Sequence, residues 1–197
     1  MKTMTRLIAF ALVGAMVAGC QSVGGPAAQS GGGIFDSGKI AGDFYTFKKS
    51  GVTMVYSLSP RLRGVPCDVK IEVMKTTDTK VRQMLSGLFE KVHMVGKFKE
   101  IKAADARLIN VHIARINSKR RCTSNVCTFT ATARLQMSLY KNAKKHIDEE
   151  IAEPGEVEAR IRNCEDVRAA YKQATENAVE NSLEMIRERL VQVYGPK

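Results

Sequence analysis

The sequence lacks any apolar run long enough to cross a membrane as a helix. About 20 apolar residues are needed for that, and the stretch from Leu7 to Ala18 is shorter and has no counterpart elsewhere. Internal repeats and long blocks of like charge are also absent, which argues against a repeat protein and against a charged disordered tail. The remaining length suits one folded domain of common size.

Recognisable catalytic and metal-binding motifs are missing too. Zinc ribbons and thioredoxin-like sites use Cys-x-x-Cys, and the sequence has no such pair. The three carboxylates at Asp148–Glu150 alternate between the sides of a predicted strand, as solvated charges do, and do not form an acid–base pair. No histidine belongs to a known metal or nucleophile arrangement; they are His93, His112 and His146. We therefore expect a protein that is not an enzyme and holds no cofactor or metal.

The first twenty residues have the layout of a secretory signal. Lys2 and Arg6 precede the apolar stretch. An ordinary signal ends in an Ala-x-Ala-like site, whereas here Val-Ala-Gly-Cys, residues 17–20, resembles the lipobox of bacterial lipoproteins. In that family the cysteine thiol is acylated and the peptide is cut just before it. The alternative is a plain secretory signal with an incidental cysteine.

The lipobox resemblance implies that Cys20 is the lipid attachment site, carrying acyl chains such as palmitate. One chain alone binds a membrane marginally, so several chains make a firm anchor. Gln21 stands where the inner-membrane retention signal has Asp, so the resemblance implies the outer membrane, facing the periplasm. We expect a signal peptide at 1–19, the lipidated cysteine with a flexible Gly- and Ser-rich linker at 20–40, and a single domain at 41–197.

The chain is strongly basic, with 31 Lys and Arg against 20 Asp and Glu and a formal net charge of +11. In the periplasm such a protein meets anionic lipids, peptidoglycan carboxylates and acidic protein surfaces, and we expect no nucleic acid partner. Lys141, Lys144 and Lys145 should lie at one end of the sheet. At the other end, a predicted hairpin carries our candidate binding residues: Arg115, Lys119, Arg120 and Arg121. The alternative is that this hairpin is only a solvated turn.

Hydrophobic periodicity predicts the order of secondary structure. An amphipathic helix is expected from Thr77 or Asp78 to a stop at Gly96, and a long helix from Glu165 to about Val193. "EPGE" is expected to be a turn. Alternation predicts strands at 52–58, 67–73, 104–116, 128–140 and 145–152. We expect an α+β two-layer sandwich in β-α-β-β-β-α order, with a mainly antiparallel sheet of four to five strands and two helices on one face.

This order resembles small Gram-negative envelope lipoproteins over residues 66–193. The features that carry the resemblance are "ADARLINVHI" after the first helix and the Ala-rich terminal helix. The group includes the lipopolysaccharide-assembly lipoprotein of the outer-membrane translocon and the auxiliary lipoproteins of ABC-type transporters. It implies a periplasmic adaptor in envelope transport or assembly, with an envelope protein, an anionic lipid or peptidoglycan as partner. The alternatives are a structural accessory lipoprotein of a secretion, pilus or flagellar apparatus, and an envelope hydrolase.

Four cysteines remain beyond Cys20, an even number that suits disulfides in an oxidising compartment. Three pairings are open. Cys122 and Cys127 flank a turn between two predicted antiparallel strands, so we favour that pair and, by elimination, Cys67 with Cys164. The alternative is a four-cysteine zinc site, against which the spacing argues.

Overall fold

A five-stranded sheet with two helices on one face forms the domain. The computed structural model describes residues 38–48, 55–101 and 105–196, which fall in one compact unit, Ser37–Lys197. Its helices are α1 (Val73–Leu88) and α2 (Cys164–Tyr194), and a 3₁₀ turn spans Phe98–Glu100. The strands are β1 (Ile40–Phe47), β2 (Val55–Leu58), β3 (Arg61–Leu62), β4 (Val65–Pro66), β5 (Val69–Glu72), β6 (Phe89–Val95), β7 (Arg107–Thr123), β8 (Val126–Lys141) and β9 (Lys144–Arg160).

The main sheet has the order β6-β1-β7-β8-β9. The long strands β7, β8 and β9 form an antiparallel meander, while β1 runs parallel to both of its neighbours. Two small sheets, β2-β5 and β3-β4, complete the domain. The expected α+β class, with a mainly antiparallel sheet and two helices, is confirmed.

The alternation of β8 places its apolar residues against the helices and its polar residues on the opposite face. Six side chains on the helix side are completely buried: Phe129, Ala131, Ala133, Leu135, Met137 and Leu139. Threonines at the intervening positions are half-buried and favour the extended backbone. One face of the sheet therefore belongs to the core, and the other, which we call the open face, lies away from the helices.

Helix α2 packs closely on the sheet because its contact stripe is small. Ala174 and Ala178 are fully buried, and a Cβ built on Gly155 of β9 would lie 2.2 Å from the Ala178 backbone nitrogen. At the same level, the buried Ser182 hydroxyl accepts a hydrogen bond from the Glu153 amide and donates one to the Ala133 carbonyl, each at 3.0 Å. The helix thus contributes to the hydrogen bonding between β8 and β9.

Asparagines of α2 also cover backbone groups of the edge strand β9. The side chain of Asn181 donates to the Pro154 carbonyl at 2.7 Å, and that of Asn177 donates to the Glu156 carbonyl at 3.3 Å. Pro154 itself offers no N–H, which suits an edge position. These contacts reduce the capacity of β9 to pair with another chain along this part of its edge.

Two disulfides link distant and local parts of the chain. The long-range disulfide joins Cys67 to Cys164 across 97 residues. The hairpin disulfide joins Cys122 to Cys127, a directly opposed pair at the tip of β7 and β8. This is the pairing favoured from the sequence.

The predicted boundaries of the first helix were wrong. It begins at Val73, before the expected cap, and ends at Leu88, before the expected stop at Gly96. The segment Phe89–Val95 is strand β6, which pairs with β1 along most of its length. The secondary structure of this segment is therefore determined by its pairing with a neighbouring strand. The helix-like spacing of its apolar residues did not decide it.

Two further differences concern β9 and β1. "EPGE" is not a turn, because β9 runs through it to Arg160. β1 was not predicted, and it occupies the second position of the sheet, beginning at Ile40 within the expected linker. Gly42, with φ of +118°, lies at an irregularity in its pairing. Residues 52–54 of the expected strand at 52–58 lie outside the described residues, as does Cys20.

Candidate functional site

The hairpin end of the open face carries two columns of opposite charge. Arg115, Lys119 and Arg121 lie on this face of β7, and all three are exposed. Within the described residues none of them forms an ion pair or a side-chain hydrogen bond. These three candidate residues are therefore brought together, as a basic column along one strand.

Arg120, the fourth candidate, has a different role. As the residue between Lys119 and Arg121, it points to the other side of the sheet, where it is half-buried. Its Nη2 donates to the Arg61 carbonyl at 2.8 Å. We therefore correct its assignment, because this guanidinium holds the small β3-β4 sheet against β7 and is not part of the exposed basic column.

Exposed carboxylates form the opposing column on β9. Glu156 lies across from Thr130, which in turn faces Lys119. The next row repeats the arrangement with Glu158, Thr128 and Arg121. Neighbouring strands lie about 4.8 Å apart, so the backbones of β7 and β9 are separated by roughly 10 Å across β8. Among the described residues, the two columns form no ion pair with each other. Both charges stay available to a partner, and sequence reasoning missed the carboxylates because the register of β9 was not known.

The hairpin disulfide lies at the tip of β7 and β8, directly after the last residue of the basic column. Ser124 adopts a positive φ of 58° in the turn, and the bond closes the loop on the adjacent residues. A closed hairpin loses less conformational entropy on binding than an open loop would. The arrangement is a pre-organised, charged surface rather than a cleft.

Farther from the hairpin the carboxylates of β9 are paired. Asp148 accepts hydrogen bonds from Lys145 at 2.8 Å, Ser138 at 2.7 Å and Gln136 at 2.9 Å. These donors, with Lys145 the strongest, hold the pKa of Asp148 well below its usual value. Glu150 pairs with Arg134 at 2.7 Å on the same face.

Glu149 faces the helices and receives a bidentate contact from Arg189 of α2 at 2.7 and 3.0 Å. The three adjacent carboxylates at Asp148–Glu150 do alternate between the two faces, as expected. They are not simply solvated, however, since each has a defined partner.

The histidines lie in three separate places. His93 is in β6 and not in a helix, and its Nε2 lies 2.8 Å from a carboxylate oxygen of Asp43. This contact is the main cause that lowers the pKa of Asp43. His112 lies on β7 and His146 at the start of β9. No group of three or more His, Cys, Asp or Glu side chains that could hold a metal occurs among the described residues.

The second basic cluster lies at the opposite end of the sheet, as the antiparallel order predicted. Lys141 is paired in register with Arg107, the first residue of β7, and Lys144 and Lys145 follow directly. The two ends of the domain therefore both carry positive charge, separated by the length of the meander.

None of the helices in the described part of the chain is long and apolar enough to cross a membrane. No family model matches the sequence, and no curated protein matches it at a significant level.

Solved structures similar to this chain include three bacterial lipoproteins. A minor lipoprotein from Acinetobacter baumannii is 9% identical over 75% of this chain and 91% of its own, with a TM-score of 0.41. A lipoprotein from Caulobacter crescentus is 12% identical over 60% and 80%, with a TM-score of 0.37. The rare lipoprotein B from Shewanella oneidensis is 14% identical over 59% and 89%, with a TM-score of 0.38.

Proposed function

We propose that this chain is a non-catalytic outer-membrane lipoprotein whose domain acts as a periplasmic adaptor in envelope transport or assembly. The lipobox-like residues 17–20 support lipid attachment at Cys20, and Gln21 supports the outer membrane as destination. The Gly-rich linker between Cys20 and the domain would give it reach from the lipid surface.

The observation that carries the adaptor role is the pair of unpaired charge columns on the open face. Complementary charge on two surfaces speeds encounter and fixes the register between partners. An envelope protein with an acidic ridge opposite β7 and a basic ridge opposite β9 fits this face. Because the sheet is rigid and the hairpin is closed by a disulfide, little ordering accompanies binding.

The test is purification of the lipidated protein from its own envelope in mild detergent, followed by mass spectrometry of the co-purifying proteins. We expect one envelope protein in stoichiometric amount with the wild type. The double variant Lys119→Glu/Arg121→Glu should lose it. The double variant Arg82→Glu/Lys172→Glu makes the same charge change at exposed positions on the helices and should retain it. Equal retention, or equal loss, in the two variants would contradict the proposed surface.

The intact mass of the purified protein tests the anchor separately. Acylation adds mass at Cys20, and Cys20→Ser should abolish both this mass and membrane retention. A wild-type chain that lacks acyl groups and fractionates away from the outer membrane would show that the anchor is wrong, whatever the open face binds.

A structural accessory lipoprotein is the second candidate, and the same two columns support it. A cation column and a carboxylate column on one face are self-complementary, so two copies related by a two-fold axis could place each basic column on the other copy's acidic column. Light scattering on the purified protein separates the candidates. A monomer with one partner supports the adaptor, whereas salt-sensitive self-association or large particles support the structural role.

A further inference from the structure

A basic pocket lies at the end of the sheet opposite the hairpin. Its volume is about 310 Å³, and its lining comes from the start of β7, the end of β8, the start of β9 and the end of α2. The lining residues are Arg107, Lys141, His146, Val193 and Tyr194. Three of the five are basic and none is a carboxylate, so the pocket attracts anions.

The donors around this pocket have no acceptors within the described residues. The side chains of Arg107, Lys141 and His146 form no ion pair or hydrogen bond there. The Arg107 guanidinium instead lies over the rings of Tyr194 and Phe44, 5.7 and 5.5 Å from their centroids. These rings hold the guanidinium in place, and its N–H groups stay available for a ligand.

Tyr194 adds an unsatisfied donor to the same wall. Its hydroxyl is enclosed by protein and has no hydrogen-bond partner within the described residues. Burial raises the pKa of this phenol, so it stays protonated and can donate. A buried hydroxyl without a partner is unfavourable, and a shift of the Tyr194 side chain that brings this hydroxyl to an acceptor oxygen in the pocket would relieve that cost.

The C-terminal dipole of α2 explains only part of this arrangement. Helix C-termini attract cations, and α2 ends at Tyr194 beside the pocket. Neither Arg107 nor Lys141 hydrogen-bonds a carbonyl of that last turn, however. The Tyr194 hydroxyl likewise donates to none of those carbonyls.

The chain enters the domain at this same end. β1 runs parallel to β7, with Phe44 opposite Arg107, so Ile40 lies at the end where β7 begins. About 20 residues rich in Gly and Ser precede Ile40, and chains of that composition and length have a root-mean-square length of roughly 25 Å. On the proposed anchoring through Cys20, on which this inference rests, the pocket end would be held near the lipid surface, and the hairpin end would point away from it.

We propose that this pocket binds the phosphate of an anionic glycerophospholipid headgroup. The Arg107 fork suits two phosphate oxygens, Lys141 supplies a point charge, and the Tyr194 hydroxyl donates to a third acceptor once its side chain shifts toward the pocket. His146 and the apolar Val193 face the remainder of the headgroup. The headgroup contact would orient the domain on the membrane, with the two charge columns directed into the periplasm.

The experiment is a titration of the full lipidated protein in neutral detergent, with bound ligand counted by native mass spectrometry. The probes are short-chain phosphatidylglycerol, short-chain phosphatidylcholine, glycerol phosphate and inorganic phosphate. We expect one phosphatidylglycerol per chain, at least tenfold tighter than phosphatidylcholine or either soluble phosphate. Inorganic phosphate binding as tightly as phosphatidylglycerol would overturn the lipid as ligand.

Variants locate the site. Arg107→Gln/Lys141→Gln should weaken phosphatidylglycerol binding at least tenfold, and Tyr194→Phe should weaken it several-fold without lowering the melting temperature. The matched control Lys119→Gln/Arg121→Gln removes the same charge at the hairpin end and should bind as the wild type does. Equal weakening in both double variants, or full binding by Lys141→Gln and Tyr194→Phe alone, would overturn the proposal. The intact mass in the same spectra reports acylation of Cys20, so failure of the pocket and failure of the anchor are distinguishable.

Discussion

Replacing Gly155 with alanine should destabilise the domain strongly. The new Cβ would lie 2.2 Å from the Ala178 nitrogen and 2.4 Å from the Ala174 carbonyl oxygen. These are backbone atoms of α2, so no side chain can rotate away, and the helix must move by roughly 1 Å to restore an ordinary contact. Overpacking of a core costs about 1–3 kcal/mol, and we expect the upper end here.

A gain in the unfolded state offsets part of this cost. Alanine restricts the unfolded chain more than glycine does, which stabilises a protein by about 0.4–1 kcal/mol where the folded conformation tolerates it. We therefore expect a net loss of about 2–2.6 kcal/mol. For a domain of this size, that lowers the melting temperature by about 4–10 °C.

Thermal and urea denaturation of the two glycine variants provide the assay. Gly87→Ala is the matched control, because nothing lies within 4 Å of its added Cβ and a helical alanine should stabilise α1 by up to about 1 kcal/mol. If Gly155→Ala melts within 2 °C of wild type (roughly 1 kcal/mol or less at this size), the close approach of α2 to β9 is refuted. If "EPGE" formed a turn, as expected from the sequence, an alanine side chain at position 155 would be tolerated.

Three further outcomes follow from the contacts. Removing both cysteines of the long-range disulfide should lower the free energy of unfolding, measured in urea, by up to about 4.7 kcal/mol. Removing those of the hairpin disulfide should lower it by about 2 kcal/mol, because the shorter closed loop restricts the unfolded chain less. Equal losses would contradict this ranking. Ser182→Ala should cost about 1–3 kcal/mol by leaving two backbone groups without their partner, whereas exposed Ser124→Ala should change stability little. The pKa of Asp148 is lowered on folding from an ordinary value of 3.8, so its contribution to stability is present above that pH and is lost as the pH falls below it. In melting curves, the advantage of wild type over Asp148→Asn should therefore shrink below about pH 4, and an advantage that grows there would show the sign to be wrong.

Strand β8 was predictable because its residues alternate strictly. From Phe129 to Leu139 every second residue is apolar, and all six of those side chains are buried, since strand geometry alone sends them to one face. The terminal helix was predicted within a residue of both ends, because its small-residue stripe is a local pattern. In the structure, the Asn163 side chain caps its start by accepting a hydrogen bond from the Asp166 amide.

The failures concern segments whose structure depends on distant partners. Val92 and Val95 fit a helical stripe, but β1 is present beside them, and its backbone groups pair with those of β6. Likewise, Pro and Gly signal a turn in isolation, whereas Gly155 is required by the close approach of α2. A local pattern cannot contain information about a neighbour that arrives from elsewhere in the chain.

The same distinction between local pattern and distant contact applies to the site residues. The sequence by itself identified the basic hairpin, the resemblance of its leader to a lipobox and the pairing of Cys122 with Cys127, because each depends on residue type and short spacing. Only the tertiary structure separated Arg120 from Lys119 and Arg121, because alternation directs successive side chains to opposite faces once the sheet has a core side. Only the tertiary structure placed Glu156 and Glu158 across from those cations. It also brought Arg107, Lys141 and Tyr194 together around one pocket. The reason in both cases is that strand register and helix packing join side chains that lie far apart in the chain.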